Sequence, residues 1–129
     1  MQVKRSKSGL PTLTECGGGA TSTGSAQIIA GTDGRPVKPQ FIPRGYSNGD
    51  HATFVIEPGM HVVEASHDRH GERATVHRIA RINGDEAVLE TVAEYENGDG
   101  NVPPSLQDAV DAAIAKAHHY HCRDVHFAA

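Results

Sequence analysis

Residues 72–96 read ERATVHRIARINGDEAVLETVAEYE, and two runs of alternating apolar and polar residues flank Asn83-Gly84 within them. Alternation at period two marks a half-buried strand. Asn-Gly is the pair favoured by the type I′ hairpin turn, in which both central residues take positive φ. A two-residue loop at 83–84 fixes the register. It sets Arg81 opposite Glu86, His77 opposite Glu90 and Arg73 opposite Glu94. All three pairs are charge-complementary and share one face. A slip of one residue loses all three, because it turns every side chain to the other face.

The same reasoning extends upstream. Pro58-Gly59 and His70-Gly71 are turn signals. They divide residues 51–96 into strands at 51–57, 60–69, 72–82 and 85–96, a meander of hairpins. A loop at His70-Gly71 pairs Asp68 with Arg73 and Glu64 with His77. One row then runs Glu64, His77, Glu90 across three strands, and Val62, Ile79 and Val88 lie on the same face. The other face carries Val63, Ala65, Ala74, Val76, Leu89 and Ala93, joined by Phe54. Before the meander, residues 26–31 form a short strand. Asp33-Gly34 turns the chain, and residues 37–42 return as an edge strand, because Pro36 and Pro39 cannot donate to a ladder.

Downstream, residues 97–103 (NGDGNVP) are a loop by composition. Residues 104–121 read as a helix. Pro104 suits the first helical position, and Asp108 and Asp111 suit the positive end of the helix dipole. Leu106, Val110, Ala113, Ile114 and Ala117 form one apolar stripe at helical spacing. The expected fold is therefore α+β: a mainly antiparallel sheet of four to six strands with one C-terminal helix packed on it. It forms a single domain over residues 1–129. Residues 1–25 are an arm and a Gly/Ser/Thr-rich loop, 26–96 the sheet, 104–121 the helix and 122–129 a tail.

Composition limits what such a domain does. The 129 residues hold seven Ile, four Leu, three Phe and no Trp, diluted by 14 Gly and seven Pro. So modest an apolar stock invites completion by a second copy of the chain. The net charge of −4 argues against indiscriminate nucleic-acid binding, which needs a clustered basic surface. The short basic run Lys4, Arg5, Lys7 reads as plain solvation. The first residues lack the apolar run of a signal peptide, and no stretch approaches the roughly 18 apolar residues of a membrane span. Cys16 and Cys122 then read as free thiols or ligands in a cytoplasmic protein.

Four groups of residues can carry chemistry. His118, His121, Cys122 and His126 cluster at the end of the helix, with imidazole and thiolate donors at a spacing that suits Zn²⁺. Histidines near a helix C-terminus also interact well with its negative end, with no metal. The row Glu64–His77–Glu90 offers an imidazole between two carboxylates, an arrangement for acid–base catalysis or for a divalent metal. It serves equally as a cross-strand charge ladder.

The hairpin tip holds Ser66, His67, Asp68, Arg69 and His70. Adjacent strand residues point to opposite faces, so Ser66-His67-Asp68 is no triad by proximity. His67, Arg69 and His70 can still contact an anion. Last, CGGGATSTGS at 16–25 spaces Gly19 and Gly24 as a phosphate-binding loop does. Ser25 and Ala26 stand where the lysine belongs, and a strand follows in place of a helix. Nucleotide hydrolysis is set aside on that ground. The hydroxyls of Thr21, Ser22 and Thr23 remain able to cradle a small anion.

The leading expectation is a small binding or accessory module for a protein partner or a small anionic ligand. The alternative is a Zn-dependent hydrolase or metal-binding protein that uses the C-terminal His/Cys cluster. A nucleic-acid-associated protein, working through the basic arm with Arg69, Arg73 and Arg78, is third.

Overall fold

The structure is a computed structural model and describes residues 1–16, 25–37, 51–68 and 71–120, with the side chains of 16, 25–26, 51–52, 67–68 and 116–120 outside that description. The described elements are β1 (Lys4–Arg5), β2 (Pro11–Cys16), β3 (Ser25–Ala30), β4 (His51–Val55), β5 (His61–Asp68), β6 (Gly71–Asn83), β7 (Glu86–Glu96), β8 (Asp99–Gly100) and α1 (Pro104–Tyr120). They form a five-stranded sheet of order β3-β5-β6-β7-β8 and a three-stranded sheet of order β1-β2-β4. Every strand pairing is antiparallel. The expected α+β class, with one C-terminal helix on a mainly antiparallel sheet, is what the chain adopts.

The large sheet lies between two apolar layers. Toward α1, Ile29, Val63, Ala65, Ala74, Val76 and Ala93 meet Leu106, Val110, Ala113 and Ile114. Toward the small sheet, Ile28, Val62, Ile79 and Ala87 meet Val3, Leu13 and Ile56, with Phe54 and Leu89 packed against them. Period-two alternation in β5 and β6 feeds both layers at once. Alanine at 65, 74, 93 and 113 keeps the helix close to the sheet, so few large residues are needed there. Leu106, Val110, Ala113 and Ile114 of the predicted stripe face the sheet, and the side chain of Ala117 lies outside the described residues. The first turn of the helix has no acidic residue, because Asp108 and Asp111 fall beyond it.

The N-terminal segment departs from expectation. Residues 1–16 are not an arm but two strands, turned at Gly9 with φ 85°. The run Pro11–Cys16 alternates, but one of its inward positions is Glu15, only 2% exposed. A carboxylate at a core position conceals the strand from any hydropathy pattern. Nor is the first hairpin of the meander made. β4 pairs with β2, and β5 takes β3 as its outer neighbour. The Pro58-Gly59 turn forms, with Gly59 at φ 97°, but it carries the chain from one sheet to the other. The described start of the return after Asp33-Gly34 makes a bridge of Ala30 with Pro36 and a bond from Val37 N to Ile29 O. Residues 38–42 lie outside the described residues.

The central hairpin exists with its loop one residue later than expected, which moves each partner beside the turn by two. Asn83 pairs with Glu86, so the loop is Gly84-Asp85. Gly84 takes φ 58°, and Asn97 is the one non-glycine with positive φ among the described residues. Positive φ at the first central position alone is the signature of a type II′ turn, which wants glycine there. The type I′ pair is Asn97-Gly98, at φ 49° and 89°, between Glu96 and Asp99. It turns the segment expected to be loop into β8.

The shift dissolves the three expected charge pairs and makes others. Arg81 faces Val88, His77 faces Thr91, Arg78 faces Glu90 and Arg73 faces Glu96. Bulges at Ala80 and Val92 realign the faces along the ladder. Leu89 therefore packs toward the small sheet, Val88 leaves the row of Val62 and Ile79, and Phe54, on β4 of the small sheet, joins that same layer and not the helix side. Between β5 and β6 the register differs by two, with Asp68 opposite Gly71 and Glu64 opposite Thr75. An even shift preserves the faces.

Candidate functional site

Of the expected row Glu64–His77–Glu90, the fold keeps the first two members. His77 Nε2 lies 3.9 Å from Glu64 Oε1, and the two side chains are 14% and 24% exposed. They are diagonal neighbours on adjacent strands, within reach of long side chains. Across the other strand, Thr91 Oγ1 is 3.5 Å from His77 Nδ1. The imidazole thus sits between a carboxylate and a hydroxyl. Glu90 is not in the row. The bulge at Ala80 turns it to the helix side, where it pairs with Arg78 at 3.3 Å.

Beside that ion pair, His61 faces Arg78 across the ladder. Burial lowers the His61 pKa below its ordinary 6.5, and the Arg78 cation lowers it further; a hydrogen bond with the Gly59 backbone opposes both. His61 Nδ1 and Gln27 Nε2 are buried with no hydrogen-bond partner among the described residues.

Glu15 is the most buried carboxylate described. Its Oε1 accepts a bond of 3.1 Å from Ile28 N. β3 is the outer strand of its sheet, so Ile28 N points away from β5. The carboxylate covers that edge position and ties the two sheets together.

An open groove of about 540 Å³ lies at the β6–β7–β8 end, lined by Arg73, Ala74, Thr75, Glu94, Tyr95, Glu96, Asn97 and Asp99. Its walls are held by side chains bonded to the backbone. Asn97 Oδ1 accepts from Glu72 N at 2.9 Å, and Asn101 Oδ1 accepts from Glu94 N at 2.9 Å. Tyr95 donates its hydroxyl to Glu72 Oε1 at 3.3 Å. Desolvation and the Glu72 carboxylate raise the Tyr95 pKa. Arg73 approaches Glu96 at 3.7 Å. Three carboxylates and one guanidinium line the groove, so it favours a cationic group. Sequence reasoning missed it by reading 97–103 as loop. The signal was present, since Asn97-Gly98 repeats the turn pair of residues 83–84.

Thr21, Ser22, Thr23, Arg69, His70, His121, Cys122 and His126 lie outside the described residues, as do the side chains of His67 and His118. Among the described residues, no three His, Cys, Asp or Glu side chains are grouped so as to hold a metal. No described helix is long and apolar enough to cross a membrane. Comparison with protein families, with curated proteins and with solved structures finds no match to this chain.

Proposed function

We propose that the chain is a small binding module whose recognition surface is the β6–β7–β8 groove. The observation that supports this is the groove itself. Its size falls within the usual range of ligand sites, and side-chain-to-backbone bonds hold its walls in place before any ligand arrives. Glu94, Glu96 and Asp99 against Arg73 select a ligand or partner segment that presents a cation. A small anion, the other half of the expectation, finds no cationic counterpart in the groove beyond Arg73, already engaged with Glu96. The metal-dependent reading rests on His118, His121, Cys122 and His126 and draws no support from the described residues.

The test is an amide-resolved NMR titration with pooled peptides of basic, neutral and acidic composition. Basic pools should shift Thr75, Glu94, Tyr95 and Asp99, and the combined Glu94→Gln, Asp99→Asn variant should weaken that response. A protein whose groove amides respond to none of the pools is not a binding module of this kind.

A further inference from the structure

We infer that the outer edge of β7 between Val88 and Ala93 accepts a short, extended, basic peptide segment by strand addition; this deepens the binding-module reading and rests on it.

Both ends of that edge are already occupied from within the chain. Ala87 N donates to Met1 O at 2.8 Å, and the Met1 ammonium donates to Ala87 O at 3.0 Å. Val3 N donates to Asp85 O at 2.8 Å. At the other end, Glu94 O accepts from Asn101 N at 3.3 Å, and Glu94 N is taken by Asn101 Oδ1. In an antiparallel strand, the peptide groups that point away from the partner recur at every second residue. Counting from Asp85 and Ala87, the next two are Leu89 and Thr91. The bulge at Val92 then brings Glu94 into phase. Among the described residues, no strand pairs with Leu89 or Thr91 on this side. The opposite edge of the sheet differs, since Ile28 N is covered by Glu15 and Ile29 O by Val37.

The gap selects its occupant by length. Six residues of strand span roughly 20 Å. A second copy offering its own β7 brings eleven residues. That strand would collide with the Met1–Val3 segment at one end and with β8 at the other. A short segment that ends or turns away at both sides fits.

Charge selects it further. Glu86, Glu90, Glu94 and Glu96 are all exposed along β7, with Asp99 beside them. Glu94 and Asp99 have no ion-pair partner among the described residues. Val92, at 37% exposed, adds apolar contact. Main-chain bonds to the edge supply affinity, and flanking carboxylates supply preference for lysine or arginine.

The probe is an acetylated and amidated peptide, Lys-Val-Lys-Val-Lys-Val, with a version N-methylated at alternate residues to remove its donors. The unmodified peptide should slow hydrogen exchange at the Leu89 and Thr91 amides, and N-methylation should weaken binding about tenfold or more through the lost bonds. Thr91→Pro removes one edge donor at a position where an edge strand tolerates proline, and it should weaken binding with the groove intact. Equal binding of both peptides, with shifts confined to Thr75, Tyr95 and Asp99, overturns strand addition and leaves the groove reading standing. No binding of the unmodified peptide by a protein whose groove still responds to basic pools overturns it likewise. Silence at both edge and groove overturns both readings.

Discussion

At the scale of single residues, two polar groups, the buried Glu15 and the half-buried His61, carry consequences that composition does not reveal. Glu15 is a carboxylate at a core position whose Oε1 accepts the Ile28 amide. Removing one partner of a buried hydrogen bond costs about 1–3 kcal/mol, because the remaining group keeps its desolvation penalty. Glu15→Ala should therefore lower stability to urea by about that much, and the Ile28 amide should exchange faster. An unchanged midpoint would mean that the Glu15–Ile28 bond contributes nothing to sheet docking. His61 gives a pH dependence of definite sign. Its folded pKa is lowered from 6.5, so the unfolded chain binds the proton more readily. Its contribution is whole above 6.5 and is lost as pH falls through 6.5 toward the folded pKa. Urea midpoints taken at intervals from pH 7.5 to 5 should fall, and His61→Gln should flatten that slope. A His61→Gln protein with the parent's full pH dependence would assign the effect to other groups.

At the scale of elements, turns decide register, and register decides which side chains meet. Asn97-Gly98 adopts the positive-φ pair, and Asn97 reaches across to bond Glu72 N. A Cβ at Gly71 would run into the Asn97 carboxamide, at a position with φ 116°. A Cβ at Gly98 would meet open space. Gly98→Ala thus pays only for the left-handed backbone, about 1–2 kcal/mol, while Gly71→Ala adds a collision. Urea denaturation of the two variants should rank Gly71→Ala as clearly the more destabilising; equal losses would show that Asn97 yields freely. The same turns explain what the sequence made legible. The strands over 51–96 and the helix at 104–120 follow from period and punctuation, and Glu64 beside His77 survives because an even register shift keeps faces. Glu90 is misplaced because the extra residue at Ala80 turns β7 over relative to β6, and a bulge leaves no mark in an alternating sequence. Complementary charge fits both registers, since β6 alternates arginines and histidine against a β7 rich in glutamate. β1 and β2 are illegible because Glu15 breaks the apolar alternation, and the β8 groove is marked only by the Asn97-Gly98 pair, since a two-residue strand carries no alternation.

At the scale of the whole molecule, two apolar layers share the strands β5 and β6. Val63 and Val76 belong to the helix-side core, and Val62 and Ile79, next to them in the chain, to the core under the small sheet. Neither layer can loosen without exposing backbone that the other layer covers. This arrangement offsets the scarcity of large apolar residues, because each strand buries both of its faces. It also predicts how the molecule comes apart. Ile79→Val and Ile114→Val remove one buried methylene from opposite layers, and each should cost about 0.5–1.5 kcal/mol. Followed by amide-resolved NMR through a urea titration, β2 and α1 should disappear at one common midpoint in the parent. Each variant should lower that midpoint for both elements together, since a shared pair of strands enforces a single transition. If Ile114→Val instead releases α1 while the β2 amides keep the parent midpoint, the helix is a separable unit and β5 and β6 do not couple the layers.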